Sequence, residues 1–381
     1  MKIELGIRTL LNVLNAIEEE NAMRQFHLLV PKLLPPLFSA FTNGETNAHG
    51  RDQILEAFYL CLRTISWADG IDNELVANCL DETFNTWMAL FKQIIQTNPK
   101  AFFDVKKNAL KCLTVIFRDF INYSRDCINT ILEPSWKLLN FHLPVFTEVL
   151  GYHQSLRDFQ GDDQEQEEHV RGYESDEEDE SYGVEGMTLQ LIELLTTLIS
   201  RQNVQEVVKH GIVPLITTIS SYMIIQHAKE HHHFGDYQHF IHEKDEDFYK
   251  QRSIRNSCLE LVSSLIEVFG DLAVESILFV VENLLLTQSA EQVSPSKTKN
   301  LQQAQTIEEI NVYEYSYSSQ HRKHYWKKRE VAMFLIGSFA EDISMFRQRN
   351  HKYNLKIVVE EMMKTNFDKA LLKSYLKGRT L

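Results

Sequence analysis

Helical periodicity dominates the chain. Ile54, Phe58, Cys61, Leu62 and Ile65 recur at steps of three and four, the spacing that gathers side chains on one face of a helix. Val105, Ala109, Cys112, Leu113, Ile116, Phe117 and Phe120 repeat it, as do Leu191, Leu194, Leu195, Leu198 and Ile199, and then Cys258, Leu261, Val262, Leu265, Ile266 and Phe269. No segment sustains strict alternation of polar and apolar residues, so no strand is predicted. The helices fall into pairs: 2–19 with 23–42, 50–67 with 74–97, 102–122 with 125–150, 186–201 with 204–226, 248–269 with 271–288, and 322–342 with a partner near 354–364. The first three pairs recur roughly every 45–50 residues, a period that suits two-helix repeats. The predicted fold is all-α, a HEAT/armadillo-type solenoid of helical hairpins with long acidic loops.

Prolines punctuate the second members: Pro31, Pro35 and Pro36, then Pro134 and Pro144, then Pro214. A proline inside a helix removes a hydrogen bond and bends it, whereas one in the first turn only marks a start. For Pro31 and Pro214 both readings stand. The expected organisation is helical repeats over 1–151, an acidic loop over 152–185, repeats over 186–288 with a His- and acid-rich loop at 227–247, a polar loop over 289–320, and further repeats over 321–381. Loops of that length in a helical array are usually functional or disordered.

Charge sharpens this picture. The net charge is -14, but between Asp158 and Glu185 thirteen carboxylates face Arg171 alone (13 − 1 = 12 negative charges), leaving about -2 for the rest. Six of them, Glu174, Asp176, Glu177, Glu178, Asp179 and Glu180, occupy the run "ESDEEDE". Mutual repulsion predicts an extended, solvated segment anchored at both ends by apolar helices. A tethered polyanion concentrates a basic partner and screens its Lys and Arg. These six residues are the first candidates for partner binding, and Glu243, Asp245, Glu246 and Asp247 are the second. Without a clustered basic stripe, nucleic acid is an unlikely ligand.

Other chemistry is sparse. No phosphate loop, nucleophile elbow, HExxH helix or dinucleotide fingerprint occurs, so neither an enzyme nor a cofactor is expected. His231, His232, His233, His239 and His242 lie near Asp236, Glu243 and Asp245, yet without the regular spacing of a metal site, and they read as a polar loop. The run "YEYSYSSQHRKHYWKKRE" mixes aromatic and basic residues as single-strand binders do, but Trp326 reads better as the start of a helix with Val331, Phe334, Leu335 and Ser338 on one face. Cys61, Cys79, Cys112, Cys127 and Cys258 form no CxxC pair and read as reduced packing thiols. The segment "SILFVVENLLL" is too short to span a bilayer, so no membrane partner is expected.

Several blocks resemble the importin-β (karyopherin-β) family: "LLVPKLLPPLFSAF", "DEEDESYGVEGMTLQLIELLTTLI", "EKDEDFYKQRSIRNSCLELV", "HYWKKREVAMFLIGSF", with Tyr325 where the family carries tryptophan, and the closing "LLKSYLKGRTL". The resemblance implies a HEAT-repeat receptor that shuttles between cytoplasm and nucleus, carries basic cargo such as histones and ribosomal proteins, and engages the small GTPase Ran and the nucleoporins. Members of the family run more than twice this length, which implies an internal portion of such a receptor. Ran binds the family's first repeats, so no principal Ran contact transfers to a residue here. Rival readings are a HEAT scaffold without a transport cycle and a chaperone that shields histones without shuttling.

Overall fold

The computed structural model describes residues 2–16, 29–44, 46–67, 80–81, 83–97, 102–147, 174–224, 253–286 and 325–350; residues 2–5, 15–16, 174–182 and 325–326 are described as backbone. Of the described residues 91% are helical and none is in a strand, which makes the fold all-α. The helices are α1 (Lys2–Ala16), α2 (Val30–Thr42), α3 (Ala48–Trp67), α4 (Phe84–Gln96), α5 (Phe103–Asp119), the short α6 (Ile121–Ser124), α7 (Ile128–Phe146), α8 (Glu174–Ile199), α9 (Gln202–His210), α10 (Ile212–Tyr222), α11 (Ile254–Phe269), α12 (Asp271–Leu286), α13 (Tyr325–Ser338) and α14 (Ala340–Arg349).

The predicted faces are the buried ones. All five residues of the α3 set are buried, as are the α5 and α8 sets in full. On α11, Cys258, Leu261, Val262 and Leu265 are buried while Ile266 and Phe269 are half-covered. On α13, Val331 and Leu335 are buried and Ser338 is exposed.

The helices form two compact units. The first holds α1 to α9 and α11 through Val268. Within it α3 packs on α1 and on α5, and α5 packs on α8. Asn108 Nδ2 of α5 donates to Asp52 Oδ1 near the start of α3 at 2.6 Å, and Ser66 Oγ near the end of α3 donates to Asp119 Oδ2 at the end of α5 at 2.6 Å. These two bonds show that α3 and α5 run parallel. Arg201, just past α8, donates to the Phe117 and Arg118 carbonyls at the end of α5 at 2.5 and 3.1 Å. It thereby satisfies acceptors that the helix end leaves open. Near the other end, Gly183 of α8 meets Phe103 of α5, so α5 and α8 are parallel too.

Parallel neighbours need a return segment between them, and α4 and α7 supply it. Phe84, opening α4, packs on Tyr123 beyond the end of α5 with ring centroids 5.8 Å apart, so α4 runs back along α5. For α7, Asn203 after α8 donates to the Arg125 carbonyl before α7 at 3.3 Å, while His142 near the end of α7 meets Thr188 midway along α8; the two helices are antiparallel. Trp87 on α4 ties the start of the unit together. It stacks on Phe58 at 4.0 Å and packs edge-on against Phe38 at 5.2 Å, bringing α2, α3 and α4 to one aromatic centre.

In the second unit, α12 packs on α10, α13 and α14. Arg349 at the end of α14 pairs with Asp271 at the start of α12 at 2.6 Å. Gly270 precedes α12 with φ +54, a left-handed turn that costs glycine nothing.

Three boundaries differ from the sequence expectation. The helix expected over 204–226 is two helices that part at Gly211, and Pro214 lies in the first turn of α10. Pro31 likewise sits in the first turn of α2, whereas Pro35, Pro36, Pro134 and Pro144 are interior to α2 and α7. The helix expected over 322–342 ends at Ser338, and α14 starts after the buried Phe339. The third difference concerns the acidic run. The loops at 227–247 and 289–320 and the helix near 354–364 lie outside the described residues.

Candidate functional site

The acidic run is helical. Sequence repulsion predicted an extended loop through 185, yet α8 begins at Glu174 and takes in Glu174, Asp176, Glu177, Glu178, Asp179 and Glu180. Two local effects oppose repulsion. Glutamate is a good helix former, and carboxylates in the first turn are stabilised by the positive end of the helix dipole by about 0.3–1 kcal/mol each. Like charges three and four positions apart, such as 174/178 and 176/180, cost about 0.2–0.5 kcal/mol per pair. The balance is close, and the packing that follows decides it.

That packing begins at once. Gly183 and Gly186 lie on the first turns of α5. A Cβ at 183 would sit 3.3 Å from Phe103 Cβ, and one at 186 would sit 3.1 Å from Lys107 Cδ. Two glycines inside a helix cost roughly 1 kcal/mol each in propensity, and here they permit a close approach at which an added Cβ would force its neighbour to give by a few tenths of an ångström. Val184, Met187 and Thr188 are fully buried behind them.

Since Gly183 is level with Phe103, the first residue of α5, everything N-terminal to it in the parallel helix passes beyond the end of α5. Residues 174–182 make up roughly 13 Å of helix at a rise of about 1.5 Å per residue. The acidic turns thus overhang their neighbour while their C-terminal end is clamped.

A buried polar cluster lies beneath the clamp. His142 and Thr188 are wholly buried. The Thr188 hydroxyl donates to the Val184 carbonyl at 2.7 Å, so at 2.9 Å from His142 Nε2 it can only accept, which assigns the imidazole proton to Nε2. Nδ1 has no hydrogen-bond partner. Burial pushes the imidazole down to about 4, the charge of Lys106 adds to this, and the Val184 carbonyl offsets it only in part. The Lys106 side chain is itself buried, and desolvation lowers its ammonium to about 8. Nearby, Lys107 donates to Asp104 at 2.6 Å. Asp52 is raised above the usual carboxylate range, first by burial and then by the charge of Asp104.

No family model and no curated protein matches the chain. The geometry therefore stands by itself.

The first set of predicted partner-binding residues is brought together on one end of one helix. The second set, Glu243, Asp245, Glu246 and Asp247, lies outside the described residues, as do His231, His232, His233, His239 and His242. Among the described residues no cluster of His, Cys, Asp or Glu has the arrangement of a metal site. No described helix is long and apolar enough to cross a membrane. Cys61, Cys112 and Cys258 are buried free thiols, Cys127 is a partly exposed one, and Cys79 lies outside the described residues.

Sequence reasoning missed the glycine pair, His142 and Lys106. Gly183 read as part of the loop and Gly186 as the first residue of the helix expected over 186–201, although their spacing of three within an apolar frame that continues through Val184 and Met187 was a usable sign of close helix contact. Nothing local marks His142 or Lys106 as buried.

Proposed function

We propose that this chain is a nuclear transport receptor of the importin-β type, of the importin-9 kind, built as a HEAT-repeat solenoid. It is non-enzymatic and takes basic proteins such as histones or ribosomal proteins as cargo. Supporting the architecture, α1, α3, α5 and α8 pack one on the next, the last three in parallel with α4 and α7 as antiparallel returns, as a stack of helical hairpins requires. Ran and the nucleoporins follow as partners from the family resemblance, with shuttling between cytoplasm and nucleus.

One observation carries the choice of cargo. The six carboxylates from Glu174 to Glu180 belong to a helix end that overhangs α5 and is anchored by Gly183 and Gly186. Charge held this way meets the Lys and Arg of a partner without having to be gathered first, and so steers encounter. Each contact is worth little by itself, and many together are worth a great deal.

The test is to replace the six acids by Gln and Asn in the full chain and titrate it with core histones at several salt concentrations. Affinity is expected to fall and its salt dependence to flatten, with helicity undiminished. Equal affinity would remove the site. Pull-down on phenylalanine-glycine nucleoporin repeats, followed by release with Ran-GTP, distinguishes a receptor from a scaffold, which would not bind the repeats, and from a histone chaperone, whose complex would ignore Ran-GTP.

A further inference from the structure

We draw no further inference here: the strongest candidate, the buried cluster of His142, Thr188 and Lys106 where α7 and α8 meet α5, in which the imidazole Nδ1 has no hydrogen-bond partner, belongs to the site already described, and nothing among the described residues shows what ligand would meet that nitrogen.

Discussion

His142 makes the stability of the first unit depend on pH in a calculable way. The imidazole is fully buried between α7 and α8 and stays neutral down to about 4, whereas in the unfolded chain it titrates near 6.5. Between those values the unfolded chain binds a proton that the folded one does not. Stability from this group is therefore complete above pH 6.5, falls as the pH drops toward 4, and levels off below. The interval from 6.5 to about 4, at about 1.4 kcal/mol per pH unit, amounts to about 3 kcal/mol. His142→Gln keeps an N–H able to donate to Thr188 and cannot be protonated. Urea unfolding of both chains from pH 7.5 to pH 4, followed by circular dichroism, should give curves that converge by about 3 kcal/mol on acidification, the native chain losing more. Carboxylates common to both chains cancel in the difference. The imidazole carbon-bound proton resonance supplies an independent check and should not move above about pH 5. Parallel pH profiles, or an imidazole that titrates near 6.5, would show that His142 is not held neutral in the packed junction.

Gly183→Ala recovers about 1 kcal/mol of helix propensity but places a Cβ 3.3 Å from Phe103 Cβ, so the packed helices must give by a few tenths of an ångström; thermal unfolding is expected to show less than that gain or a net loss, and a full gain of about 1 kcal/mol would show that the contact is not tight. Trp87→Ala empties the aromatic centre shared by Phe38, Phe58 and Phe91 and should cost about 3–5 kcal/mol by denaturant titration. Trp87→Phe should cost markedly less, since the indole N–H has no hydrogen-bond partner and its removal leaves no polar group stranded. Lys106, lowered by burial to about 8 from 10.5, is deprotonated in the folded state before the unfolded one, so stability should rise between pH 8 and 10.5. Lys106→Met should abolish that rise, which melting curves across the interval will reveal.

Much of the fold could be read from local pattern. The α3, α5 and α8 faces are the clearest instance: every residue assigned to them is buried, because a three-and-four spacing on a helix defines one side whatever that side later meets. Boundaries were harder. Gly211 separates α9 from α10 where periodicity alone carried one helix through. The acidic run was read through its charge, and the outcome turned on propensity, the helix dipole and the anchoring that begins at Gly183. As for the candidate site, its acids were legible as composition, while their helical end and its overhang were not.

What the sequence determined by itself is which segments are helices and which stripe of each avoids water, since both follow from residues a turn apart. Only tertiary structure decided what lies against the other sides. Lys106 sits among lysines and reads as a surface residue, yet α5 is flanked by α3 and α8 and backed by α4, and its charged side chain is enclosed. His142 is buried because α7 runs back along α8, and Gly183 and Gly186 stay in a helix because Phe103 and Lys107 fill the space beside them. Each depends on residues many turns distant along the chain, whose arrival no local spacing records.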